Sequence, residues 1–410
     1  MNRAVKILIA GIAINLCMGV LYAWSVFSKA LQSELGWSSV DAGMPYSVAV
    51  MVFASCLLIS GILQDRMGPR KMVILGTSMV GLGLIASSFA TTPLMLAICF
   101  GVLVGAGIGF AYACLSPAAM KWFHSSKKGL VCGLIAGGFG IAPLYLAPLT
   151  NFLIDTQGIN NTFLYLGAGA VLIAVPLAFT IVNPPAGYVA AAPAGFVAPV
   201  GKGAGNDFTW REMLKTKQFY MLWVMFCFAA SAGLMLIGNI TSIASLQGGL
   251  SNAAFLVSAL AVFNSGGRVV MGMLSDKIGA IRTLLLVFLL QGVNMVLFPM
   301  YQTEMGFMLG AALAGIGYGA LLSVFPSLTA DYYGLKNYGT NFGVLYTAWG
   351  VSGFIGPVVA GYVSSAYGSY AIAYTMSAVM LAIAVVLALT IKPVVKTQAN
   401  SAVEAEPAKA

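Results

Sequence analysis

Apolar residues recur along this chain in runs of about twenty, each closed by a short group of charged or turn-forming residues. A helix needs about 20 apolar residues to cross roughly 30 Å of hydrocarbon. By that measure the sequence predicts twelve spans, near residues 5–28, 44–64, 72–90, 94–117, 129–152, 162–182, 218–242, 252–274, 283–301, 306–329, 339–364 and 370–391. Only helices and closed barrels satisfy the backbone in lipid, and these runs are too long for barrel strands. The first, from Ile7 to Phe27, also exceeds the core of a signal peptide and reads as a retained helix.

Composition agrees with the pattern. Of 410 residues, 60% are hydrophobic and 8% charged, where a soluble domain carries about 25% charged. A soluble enzyme, a secreted disulfide scaffold and a disordered chain are excluded. The six cysteines fall inside apolar runs without metal-type spacing. No metal cluster, nucleophile–base pair or cofactor motif is evident, so the chain is read as neither an enzyme nor a cofactor protein. The net charge of +9 is not gathered into a nucleic-acid patch. Of the 20 Lys and Arg, 18 fall on one side of the predicted spans, Lys29 falls on the other, and Arg268 lies within a span. That asymmetry predicts a multi-pass protein of the cell membrane with both termini in the cytoplasm.

One long connection divides the chain. The reading is an N-terminal six-helix half at 1–182, a cytoplasmic linker with a short amphipathic helix at 183–217, a C-terminal half at 218–391, and a cytoplasmic tail at 392–410. Pro184 to Asn206 is rich in Ala, Pro and Gly, and Thr209-Trp210-Arg211-Glu212 has capping-box spacing. The halves repeat each other. Gly61, Asp65, Arg66, Gly68, Arg70 and Lys71 follow span 2, while Gly272, Asp276, Lys277, Gly279 and Arg282 follow span 8, with the two aspartates 211 positions apart. Gly105, Gly107 and Gly109 recur as Gly315, Gly317 and Gly319, and Gly133 and Gly140 as Gly343 and Gly350. Two such halves predict a pseudo-twofold pair with a substrate near the midplane between them. The mid-helix glycines are read as close-packing surfaces.

The loop after span 2, with its weaker copy after span 8, resembles the signature of the major facilitator superfamily. The resemblance covers essentially the whole chain. It implies an all-α membrane fold of twelve helices in two pseudo-symmetric six-helix halves. It also implies gate roles for Asp65, Arg66, Arg70 and Asp276. A narrower likeness involves four spans: Lys121-Trp122-Phe123 and Lys127 to Gly133 around the start of span 5, Asn264 to Arg268 in span 8, Phe325-Pro326-Ser327 in span 10, and Asn337-Tyr338-Gly339 at span 11. Together they resemble the oxalate/formate antiporters and related monocarboxylate transporters, which hold a small carboxylate on an arginine in span 8.

Arg268 stands out without any family. It is the one formal charge deep in a predicted span, no Asp or Glu lies within any span, and an arginine there costs roughly 2.5–3.5 kcal/mol on insertion scales. A guanidinium grips a carboxylate in bidentate fashion, so a ligand is read as its counter-ion, facing a wet cavity. Its predicted place is about one and a half turns from the cytoplasmic end. Asn264, one turn earlier on the same face, orients it or donates to the anion. By resemblance Tyr22, Tyr112 and Tyr318 line the cavity; Tyr346, Trp349, Asn341 and Asn239 rank below them. His124 is read as solvated.

Three positions depart from the resembling carriers. Asn264 stands where animal monocarboxylate carriers often have a titratable aspartate, Val26 near their span-1 lysine, and Leu345 where oxalate exchangers place a second lysine. One fixed cation matches one carboxylate. The expectation is a monomeric secondary transporter of small monocarboxylates (lactate, pyruvate, glycolate or formate), driven by proton symport and resting in membrane lipid. Oxalate/formate exchange is the alternative, and a non-transporting carboxylate sensor a more distant one.

Overall fold

The computed structural model describes residues 2–185, 187–190, 207–250 and 253–394. Among these the chain is helical, with no β-strand. Most of the Ala/Pro/Gly-rich linker, with Lys202, and the tail beyond residue 394 lie outside the described residues.

Twelve long helices follow in order. They are α1 (Arg3–Leu35), α2 (Val40–Met67), α3 (Pro69–Ser87) and α4 (Pro93–Met120). The stretch Ser125–Ala178, 54 residues long, supplies α5 (125–157) and α6 (159–178). The second half contains α7 (Lys217–Gly248), α8 (Ala254–Ile278), α9 (Ala280–Leu297), α10 (Glu304–Tyr333), α11 (Tyr338–Tyr367) and α12 (Ala371–Thr390). A straight helix of 54 residues would be about 80 Å long, far more than one hydrocarbon layer needs. It breaks at Gly158, whose φ of 77° only glycine adopts freely, so α5 and α6 count as two crossings. Gly68 and Gly279, at φ 81° and 96°, make the corresponding turns between α2 and α3 and between α8 and α9.

The mid-helix glycines show how the duplication works. A Cβ on Gly107 would meet the Gly76 carbonyl oxygen at 2.6 Å, and one on Gly109 the Phe53 carbonyl oxygen at 2.7 Å, so α4 lies directly on α3 and α2. In the second half Gly317 closes on the Gln291 side chain and Gly319 on the Asn264 carbonyl, placing α10 on α9 and α8. Dispersion at such separations, not hydrophobic exclusion, holds helices together in lipid.

The halves meet at the end of the bundle that carries the basic loops. There α2 lies on α11, with Gly61 facing the Gly339 carbonyl, and α5 lies on α8, with Gly129 facing the Gly272 carbonyl. Contact continues inward through Gly343 against Leu58 and Gly140 against Ser265 and Arg268. Farther along α11, Gly350, Gly353 and Gly361 have nothing within 4 Å of an added Cβ, and Phe354 and Tyr362 are exposed. The bundle is shut at its basic end and parts toward the opposite one.

The glycine approach sets how closely the shut end can pack. A Cβ on Gly61 would lie 2.1 Å from the Gly339 oxygen, at least an ångström inside ordinary contact. Gly61→Ala is therefore expected to force α2 from α11 and populate the form open at the basic end. Spin-label distances between those two helix ends measure this; a distribution unchanged from wild type would refute it.

Candidate functional site

Arg268 lies ten residues from the end of α8, about 15 Å along the axis. This corrects the expected one and a half turns: α8 runs on to Ile278, so the side chain is too deep to snorkel to the basic end. The expectation of a wet cavity is also corrected, because Arg268 is 0% exposed. Its Nε donates to Asn264 Oδ1 at 3.1 Å, and its Nη1 donates to the Ala136 carbonyl of α5. Nη2 has no hydrogen-bond partner among the described residues. Small residues on α5 make the room: a Cβ on Gly140 would lie 3.0 Å from the guanidinium carbon, and one on Gly133 would strike the Arg268 carbonyl at 2.2 Å. Asn264 therefore orients the guanidinium and offers it no charge.

Aromatic rings surround this group. Tyr22, Tyr112 and Tyr318 are all within electrostatic reach of the guanidinium, as is Tyr346. Tyr22 sits on a short 3-10 turn, Gly19–Ala23, that interrupts α1, and is 41% exposed. Its ring meets Phe139 edge-on at 5.2 Å, and Phe139 meets Tyr112 at 5.3 Å. The Trp349 indole donates to the Tyr318 hydroxyl at 2.6 Å and contacts Phe53 and Tyr346 at 5.9 and 5.2 Å. Six helices (α1, α2, α4, α5, α10 and α11) thus place rings around one cation from the seventh, α8. Phe53 and Phe139 were not singled out in the sequence, where a phenylalanine inside a span looks like any packing residue. Leu345 is fully buried on α11, so no second cation occupies that place.

At the basic end each half caps a helix of the other. Asp65 Oδ1 accepts from the Gly339 N–H at 3.1 Å, and its Oδ2 from the Thr340 N–H and hydroxyl at 2.8 Å each, at the start of α11. Asp276 accepts from the Gly129 and Leu130 N–H groups at 2.8 Å each, at the helical start within α5. Carboxylates at helix N-termini satisfy unpaired N–H groups and complement the helix dipole. Beside them Lys128 pairs with Asp331 at 3.1 Å. The signature arginines are placed differently: Arg66 is exposed, and Arg70 lies over the Phe179 ring at 5.3 Å.

Two further elements escaped sequence reasoning because only tertiary structure assembles them. Lys121, just past α4, interacts with both Asp65 and Asp207; burial lowers its pKa while those carboxylates oppose the shift. Asp207 and Phe208, at the end of the linker, are pinned to the α10–α11 turn. Phe208 N–H donates to the Tyr333 carbonyl at 3.0 Å, and the Phe208 carbonyl accepts from the Asn337 and Asn341 amides at 3.1 and 2.9 Å. Asp207 accepts from the Lys336 N–H at 3.1 Å. The Thr209–Glu212 capping box then starts the short helix Trp210–Met213. At the linker's other end, Trp122 donates to the Val182 carbonyl at 2.7 Å, and Tyr188 packs on Trp122 at 5.1 Å. Asn239, on α7, bonds its own helix at Met235, and His124 caps Ser126 in the loop before α5.

Comparison with known proteins agrees with this architecture. The sequence model described as Major Facilitator Superfamily matches residues 8–299 and 237–410. The chain is 30% identical over 348 residues to an uncharacterised MFS-type transporter, YhjX, of Escherichia coli K12, covering 84% of each chain. It is 27% identical over 396 residues to the oxalate:formate antiporter of Oxalobacter formigenes, covering 96% of this chain and 92% of that one. It is 25% identical to monocarboxylate transporter 13 of Rattus norvegicus, over 89% and 83% of the two chains. Among solved structures, the transporter FucP superposes with a TM-score of 0.72 over 95% of this chain and 99% of its own, at 13% identity, which speaks to the fold alone. With two six-helix halves around a shared centre and a matching family model over its length, the chain belongs to the major facilitator superfamily of membrane transporters.

Proposed function

We propose that this protein is a secondary transporter that carries small monocarboxylates through the cell membrane by proton symport. The observation that carries the reading is Arg268, a fully buried guanidinium with one free nitrogen and no carboxylate bonded to it among the described residues. A buried charge requires compensation, and a planar donor pair fits a carboxylate. The surrounding tyrosines and Trp349 supply hydroxyl and apolar contacts to a short carbon chain. The apolar Leu345 favours one carboxylate over two. The similarity to an oxalate:formate antiporter and to monocarboxylate transporters supports the same substrate class.

In this reading the basic end faces the cytoplasm, which places both termini inside. The shut basic end and the parted opposite end then correspond to a form that receives its substrate from outside. The anion enters past the exposed Tyr22, and the side chains that cover Arg268 in this form must shift before it meets Nη2. Reorientation requires Asp65 and Asp276 to release the helix starts they cap, with Arg66 and Arg70 supporting the same loops, so that the halves rock about the bound anion. A second reading is anion exchange. It is favoured by the lack, among the described residues, of a titratable carboxylate bonded to Arg268, since an empty carrier would then have to reorient with its charge unmatched.

Three measurements in proteoliposomes test these points. Uptake of labelled lactate is expected to rise with an inward proton gradient and to fall by at least thirtyfold in Arg268→Gln, since truncating a buried charge pair costs about 2–5 kcal/mol. Uptake indifferent to the gradient but accelerated by internal formate would establish exchange instead; uptake surviving the substitution would remove the carboxylate assignment. Gly140→Ala crowds the guanidinium and is expected to raise KM about tenfold, because small misplacements at a site are costly. Leu345→Lys supplies a second cation, and oxalate should then compete with lactate where in wild type it does not.

A further inference from the structure

A second polar atom beside the site lacks a partner. Asn15 of α1 is 0% exposed, and its Oδ1, like Arg268 Nη2, has no hydrogen bond among the described residues. The amide orientation is fixed, because Nδ2 donates to the Ile135 carbonyl of α5 at 2.8 Å; the oxygen is therefore an acceptor awaiting a donor. Arg268 holds the next carbonyl along, that of Ala136, through Nη1. Successive positions on a helix differ by about 100° of rotation and 1.5 Å of rise. So α1 and α8 send side chains to successive carbonyls on one stretch of α5.

That stretch adjoins the site already described. One turn on from Ala136 and Ile135 lie Gly140, which makes room for the guanidinium, and Phe139, whose ring meets Tyr22 and Tyr112. Buried polar atoms are nearly always hydrogen-bonded in native proteins. Here two orphans of opposite character, one donor and one acceptor, belong to side chains held on successive carbonyls of α5.

We infer that Asn15 is a substrate-binding residue and that the acid carried has a hydroxyl on the carbon next to its carboxylate. The carboxylate accepts from Arg268 Nη2, and the hydroxyl donates to Asn15 Oδ1. A short ligand with its donor directly beside its anion matches two protein groups anchored one residue apart. Acids with a keto oxygen or a plain methylene at that carbon have no proton to offer, and leave Asn15 unpaired. Sites built to bond a substrate hydroxyl reject analogues lacking it. This inference rests on the monocarboxylate reading above.

The test is competition against labelled lactate uptake in proteoliposomes by lactate, pyruvate and propionate. These acids share a three-carbon skeleton and are ionised at neutral pH. Wild type is expected to bind lactate at least tenfold better than pyruvate or propionate, and in Asn15→Leu that ratio should collapse toward one whatever happens to the overall rate. Equal competition in wild type, or a ratio that survives the substitution, would overturn the inference while leaving monocarboxylate transport standing. If Asn15→Leu fails to insert, the wild-type series decides alone: pyruvate carries oxygen at the same carbon without a proton, so lactate no better than pyruvate would refute the donated bond. Uptake of none of the three acids would overturn both readings.

Discussion

Arg268 carries a permanent positive charge to the middle of a helical bundle, where its hydrogen bonds go to an uncharged amide and a backbone carbonyl. Neither neutralises it, and the energy of an unmatched ion in a low-dielectric interior is large. The surroundings follow from that constraint. The α5 face against it consists of residues without side-chain bulk, since a single added carbon at Gly140 would touch the guanidinium. Aromatic rings on six other helices enclose it, supplying hydroxyls and ring faces but no competing anion.

The same economy of side chain governs the contact between halves. Where α2 meets α11 and α5 meets α8, backbone faces backbone across pairs of glycines, and an aspartate from one helix closes the N-terminus of the other. The two junctions are copies, built from positions that the duplication repeats. Bonds from a carboxylate to free N–H groups are strong yet require no side-chain rearrangement on the receiving helix. In the cycle proposed above they suit an interface that separates as two rigid bodies, where opening one junction alone would tilt the halves against the other.

Much of this was legible in the linear sequence. Span length, glycine spacing and the repeated loop led to twelve helices in two halves, because in lipid the backbone leaves few alternatives. Arg268 was visible as a charge out of place. Its depth was not, since the apolar run of span 8 ends several residues before α8 does. The partners of Asp65 and Asp276 were hidden for a different reason: they are backbone N–H groups, which every residue but proline has. Phe53 and Phe139 were indistinguishable from other apolar positions until neighbouring helices turned them toward one point. Asn15 passed unnoticed as a lone amide in the apolar run from Ile7 to Phe27.

The pinning of Asp207 and Phe208 fixes where the second half takes hold of the chain that enters it. The connection is fastened to the first half as far as Tyr188, on Trp122, and to the second from Asp207 onward. Because Phe208 holds Asn337 and Asn341, beside the Gly339 and Thr340 N–H groups that Asp65 grips, a pull on the chain at residue 207 arrives at the start of α11 and not in the middle of the bundle.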